Sequence, residues 1–171
     1  MMKKTVILAV MTFFGAVQAQ TDAFIGRGDG KVQIGANFQK WGTGIQASLD
    51  RGLGESFSFG VQAGYVMGFK EFDYLDKPKI GDRFDVKVRA NAHLGDVIGL
   101  PQNFDIYPGL DLGLKNFGGH IGARLFFNKG LGIFAETQFP LARYNKDAAD
   151  YDFLNNQFNV TIGASFDISK K

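Results

Sequence analysis

The chain has 171 residues, is rich in glycine (23) and phenylalanine (18), poor in proline (4), and has no cysteine. That length is one domain's worth, the missing cysteines exclude a disulfide framework, and high Gly and Phe without Ala/Glu/Lys/Leu-rich blocks argues for an all-β chain. The formal charge of +2 resides in Lys3 and Lys4, since removing these two from 19 Lys and Arg leaves 17 against 17 Asp and Glu, and without a basic block there is no case for a nucleic-acid partner.

Lys3 and Lys4 open the chain, Thr5 to Ala16 is an apolar run, and Val17-Gln18-Ala19 ends in a small residue. This is the pattern of a secretion signal. The apolar run is shorter than the roughly 20 residues that a spanning helix needs. The expectation is therefore cleavage after residue 19, leaving residues 20–171 as a single domain. Thr21 to Gly30 ("TDAFIGRGDG") is short, polar and Gly-rich, and reads as a leader. Its Arg-Gly-Asp triplet is short enough to recur by chance.

From there, segments of alternating polarity run to the C-terminus: Lys31–Lys40, Gly44–Asp50, Phe57–Met67, Arg83–Leu94, Phe104–Lys115, His120–Asn128, Gly132–Ala142 and Gln157–Ile168. Arg83–Leu94 shows the pattern at its cleanest, with Phe84, Val86, Val88, Ala90, Ala92 and Leu94 against Arg83, Asp85, Lys87, Arg89, Asn91 and His93. Successive strand side chains point to opposite faces, so each segment is a strand with one apolar and one charged face. Most have the length that crosses a bilayer at a tilt. If the first strand starts on the periplasmic side, the outer loops are Trp41–Thr43, Phe69–Asp82, Asn116–Gly119 and Arg143–Asn156. The two longest connections then share one side, as in outer-membrane barrels.

Alternation alone does not say which face is inside, because a soluble lipocalin-like barrel alternates with the faces exchanged. Three features favour a polar lumen. The polar face carries many glycines, which the crowded interior of a narrow barrel needs. Its cations (Lys31, Arg83, Lys87, Arg89, Lys115, Arg124) equal its anions (Asp50, Asp85, Asp105, Asp111, Glu136, Asp167), and a dry lumen requires paired charges. The apolar face has almost no charge and carries aromatics near strand ends, where girdles meet a lipid–water boundary; Phe38, Trp41, Tyr65, Phe139 and Phe166 are the expected girdle. Folding the last hairpins around "NFGG" and "KGL" places Lys87, Asp111, Arg124 and Glu136 at one level, as an alternating ion-pair network across four adjacent strands.

Nothing points to catalysis, a cofactor or a metal. His93 and His120 fall at opposite rims, "HIGAR" offers no serine beside His120, and Asp147, Asp150 and Asp152 are not spaced as a calcium loop. The loops 69–82 and 143–156 mix aromatics with acids and are the expected contact points for a protein or surface partner.

Eight such segments behind a signal resemble the small eight-stranded outer-membrane proteins of which OmpX and the membrane domain of OmpA are familiar members. "YPGLDLGLKNFGGHIGARLFF" followed by "GIFAETQFPLARY" is similar to uncharacterised barrel proteins of Bacteroidetes. The resemblance implies an eight-stranded antiparallel up-and-down transmembrane β-barrel, located in the outer membrane and surrounded by its lipid. One departure is the C-terminus, where Phe166 is followed by "DISKK" rather than ending the chain as an aromatic. The expected role is a non-enzymatic barrel with a plugged lumen, serving envelope structure or surface contact. A narrow pore or ion leak, and a secreted lipocalin-like binder, are the alternatives.

Overall fold

The computed structural model describes residues 22–70, 78–128, 130–144, 151 and 153–169. The expected signal, parts of both long loops, and Asp147, Asp150 and Asp152 lie outside them. Eight strands follow in order: β1 (Gly30–Gln39), β2 (Gly42–Gly52), β3 (Phe57–Phe69), β4 (Phe84–Ala92), β5 (Phe104–Gly113), β6 (Asn116–Asn128), β7 (Leu131–Arg143) and β8 (Asn159–Asp167), with a single helical turn, α1 (Ile80–Arg83), before β4. Each strand pairs antiparallel with its sequence neighbours, and β1 pairs with β8 to close the barrel. Closure leaves no edge strand.

The alternating pattern decides the facing. Ile34, Ile45, Val61, Val88, Leu112, Ile121, Ile133 and Ile162, one from each strand, point outward and are 50–55 % exposed. The opposite face of every strand is buried and mostly polar or charged. The described apolar core is small, with Val66, Tyr151 and Leu154 packed together beside Phe69 and Phe153 at one mouth. We call that mouth the cap end and the other, where β1 begins and β8 finishes, the terminal end.

The boundaries differ from those read in the sequence at the tight turns. The β5–β6 connection is Leu114–Lys115, not Asn116–Gly119, which forms the start of β6. The β1–β2 connection is Lys40–Trp41 rather than Trp41–Thr43. Both are two-residue hairpins, the commonest closure of a β-ladder. Arg83 ends α1 rather than starting the strand. Its guanidinium donates to the Val66 and Met67 carbonyls and stacks on Tyr65 and Phe69, so it is a rim group and not a lumen one. The leader is also more than a leader: Ala23, Phe24 and Asp29 are buried in the terminal mouth.

Candidate functional site: the barrel lumen

Glycines on the inner face make the room in which the large lumen side chains lie. A Cβ at Gly122 would run into the Tyr107 ring, and one at Gly109 into the His120 ring. Tyr107 from β5 therefore reaches the middle of the lumen, fully buried, with its hydroxyl 3.1 Å from Gln33 Nε2. The guanidiniums of Arg124 and Arg89 lie over its ring, at 5.0 and 5.9 Å from the centroid.

The strongest pair crosses the barrel. Arg89 on β4 forks onto Glu136 on β7, with Nη2–Oε2 at 2.6 Å and Nη1–Oε1 at 3.2 Å. Its Nε stands 3.5 Å from Asp50 Oδ1, and Nη1 donates to Gln62 at 3.0 Å. Glu136 accepts further bonds from Gln138 and Gln46, at 2.8 and 3.3 Å. Two parallel N–H···O bonds to a carboxylate, with the remaining lone pairs also occupied, are what a buried ion pair needs.

Toward the terminal end, Asp105 accepts from His93 Nδ1 at 2.7 Å, Arg124 Nη2 at 3.1 Å and the Gly95 amide at 3.2 Å. Because Nδ1 donates to the carboxylate, His93 Nε2 accepts from the Ser58 hydroxyl, 2.8 Å away. Phe24 lies flat on the imidazole, the ring centroids 3.6 Å apart. Burial pushes the His93 pKa below its ordinary value, against the opposing pull of the Asp105 hydrogen bond. Below this layer Lys31 bridges Asp29 and Asp167, at 2.5 and 3.2 Å. The Asp of the Arg-Gly-Asp triplet is thus a buried structural partner.

Ser58, His93 and Asp105 are bonded in the order that activates a serine nucleophile in hydrolases. Here Ser58 is 1 % exposed, its oxygen also accepts from Asn91 Nδ2 at 2.9 Å, and it lines neither described cavity. His93 and Asp105 line a small cavity at the terminal mouth, but the array does not end at the serine. It is one part of a continuous chain: Lys87 donates to Gln138, Gln138 and Arg89 to Glu136, Arg89 to Asn91, Asn91 to Ser58, and Ser58 to His93.

At the cap end the walls are amides. Asn37, Gln46, Gln62, Gln138, Asn155 and Asn159 surround a small cavity that Asp85 and Lys87 also line. Above it sits the β7–β8 loop. Asn116 donates to the Asn155 carbonyl and to Asn156, both at 3.1 Å, and Lys115 reaches the Asp82 and Leu154 carbonyls. Asn155 adopts φ 61°, a left-handed conformation that asparagine tolerates, and its side chain donates to the Arg83 carbonyl at 2.8 Å.

Lys87, Asp111, Arg124 and Glu136 are all buried in the lumen, yet they do not form the single ring expected from the sequence. Asp111 lies 3.0 Å from His120 Nδ1, Arg124 bonds Asp105, Glu136 bonds Arg89, and Lys87 bonds Gln138 with Asp85 at 4.0 Å. The reason is register. The Leu114–Lys115 turn sets Asp111 opposite Gly118, β4–β5 pairing sets Arg89 opposite Asp111, and Glu136 faces Gly122. Even-numbered slips preserve the facing of every side chain, so the hydrophobic pattern cannot see them. Arg89 was placed among the lumen cations but not paired with Glu136, and Tyr107 and Phe24 were missed, because Arg89 and Tyr107 bond across the lumen and Phe24 reaches His93 from the leader.

Of the aromatic set, Phe38 and Phe166 project outward at 49 % and 38 % exposure, and Phe139 covers Gly119. Tyr65 lies under Arg83. Trp41 occupies the β1–β2 turn between the ammonium groups of Lys40 and Lys70. Register places Phe38, Tyr65 and Phe139 in the cap-end half and Phe166 in the terminal half.

Residues 14–168 match the model of a family described as a family of unknown function, DUF6646. The chain belongs to that family. No curated protein matches it. In this DUF6646 member the match runs through all eight strands and the leader that fills the terminal mouth.

Proposed function

We propose that this protein is an integral outer-membrane β-barrel, exported by residues 1–19, with a lumen closed by its own side chains and a non-enzymatic role in envelope structure or surface contact. The observation that carries the reading is the inverted polarity of the barrel. Fully burying a large aliphatic side chain is worth about 1.5–3 kcal/mol, and this fold leaves a belt of them half exposed on all eight strands while burying Arg89, Arg124, Lys31 and Glu136. In water both choices cost free energy; in lipid the belt is solvated and only the lumen must be satisfied. The aromatics Phe38, Trp41, Tyr65, Phe139 and Phe166 suit the two lipid boundaries, and the loops 69–82 and 143–156 would meet a protein or surface partner.

The pore reading is less well supported, because side chains occupy the lumen from Tyr107 to the Arg89–Glu136 pair; planar-bilayer conductance tests it. A lipocalin-like binder would need an apolar interior, and this interior is charged. The direct test is fractionation with a gel comparison of unboiled and boiled samples. A closed barrel recovered with membranes should migrate differently before and after heating. Identical mobility, together with recovery in the soluble fraction, would remove the membrane reading.

A further inference from the structure

Among the described lumen acids, Asp85 stands farthest from a basic partner: Asp50 is 3.5 Å from Arg89 and Asp111 3.0 Å from His120, against 4.0 Å between Asp85 and Lys87. Asp85 on β4 is 3 % exposed, yet neither of its carboxylate oxygens accepts a hydrogen bond from a side chain among the described residues. Its nearest cation, Lys87 Nζ, is 4.0 Å away and is already donating to Gln138 at 3.3 Å. The residue opposite Asp85 on β3 is Gly64. A Cβ there would meet nothing nearer than 3.9 Å, whereas one at Gly122, Gly109, Gly60 or Gly163 would collide with side chain or backbone. Gly64 is therefore a gap in the wall beside a carboxylate to which no described side chain donates, and the two residues line the same cavity of about 10 Å³.

A cavity of that size takes about one water-sized molecule and keeps it only with two to four polar partners. Asp85, Gln62, Gln138, Asn155 and Asn159 supply them. A buried carboxylate short of donors is destabilising, and a donor in the cavity would relieve it. The occupant should be neutral, since Lys87 already offsets the charge of Asp85.

We propose that the Gly64–Asp85–Asn155 space is a hydration site open to the cap end, so that the lumen is a blind, water-accessible vestibule reaching down to Lys87 and closed below it by the Arg89–Glu136 pair. The ligand class is a water-sized, neutral hydrogen-bond donor. The vestibule does not depend on what surrounds the barrel, so it is testable in detergent whether or not the membrane reading holds.

The absence of cysteine from the whole chain makes the test clean. Single variants Gly64→Cys, at the vestibule, and Ser165→Cys, an isosteric change at a fully buried lumen position below the pair, are folded in detergent micelles. Each is checked for heat-dependent gel mobility and treated with a small methanethiosulfonate reagent. Gly64→Cys should react at least an order of magnitude faster than Ser165→Cys in the folded state, and the two should react alike after boiling. Equal protection of both in folded barrels, or equal reaction, would overturn the vestibule. Should Gly64→Cys fail to fold, Gln62→Cys takes its place in the same comparison. A second measurement addresses the charge of the occupant. The thermal midpoint of the unmodified protein should be the same in ammonium, potassium and sodium chloride at equal ionic strength. Stabilisation by ammonium or potassium alone would make the site a cation site and overturn the neutral assignment.

Discussion

Between Tyr107 and the terminal mouth, the lumen is closed by charged groups in direct contact: Lys31 with Asp29 and Asp167, and Asp105 with His93 and Arg124, under the Phe24 ring. Between the Arg89–Glu136 pair and the cap, amides line the wall, and the acid–base pair Asp85–Lys87 stands at 4.0 Å. The difference traces to what stands opposite each charge. Gly122 and Gly109 have their space taken by Tyr107 and His120, so the middle of the barrel is packed. Gly64 has its space left open. One residue type thus produces a tight layer in one half and a cavity in the other, depending on whether a large side chain from the next strand leans over it.

The largest effect should come from the packed half. Arg89→Ala leaves Glu136 and Asp50 buried without their cation and should cost about 3–5 kcal/mol. Lys87→Ala, at the looser pair, should cost less. Adding Glu136→Ala to Arg89→Ala should recover part of the loss, read as a coupling free energy from denaturant unfolding in micelles. A coupling near zero would mean that the cross-lumen fork is not formed.

Next is the outer face of the same strand. Val88 lies between Lys87 and Arg89 but projects outward. If lipid covers it near mid-depth, Val88→Arg should cost about 2–4 kcal/mol on folding into vesicles. A substitution without effect would point to water on that face.

The glycine comparison itself is sharpened by Gly122→Ala and Gly64→Ala. Overpacking a filled layer costs about 1–3 kcal/mol, so Gly122→Ala should lower the unfolding midpoint while Gly64→Ala leaves it nearly unchanged. Equal losses would show that the two halves are packed alike.

The smallest effect concerns the terminal mouth. His93 has a folded pKa below its unfolded value of about 6.5, so the unfolded chain binds the proton more readily. Stability should therefore fall as pH drops below about 6.5 and level off once the folded imidazole titrates. Phe24→Ala, which uncovers the imidazole, should flatten that dependence. An unchanged pH profile in Phe24→Ala would mean that the stacked ring is not what disfavours the charge.

Strand number, antiparallel order and inward-facing charge were all legible in the sequence, because a period of two over eight segments leaves one consistent sheet. The side that carries the long connections was legible too. The tight turns were not. "NFGG" looks like a loop because glycines cluster there, yet Gly118 and Gly119 are strand residues, Gly119 lying beneath Phe139, and the chain reverses two residues earlier. The leader misled in the opposite sense: its polar, glycine-rich composition hid Phe24, whose partner His93 lies some seventy residues on.

By itself, then, the sequence determined the facing, since a slip of one residue would turn every charge outward and every aliphatic inward at once. It did not determine which charges meet. Slips of two residues leave the pattern intact, and the decisive contact, Arg89 with Glu136, joins strands that are not neighbours. Such a pair exists only once the barrel has closed and its diameter has brought opposite walls within reach of an arginine side chain.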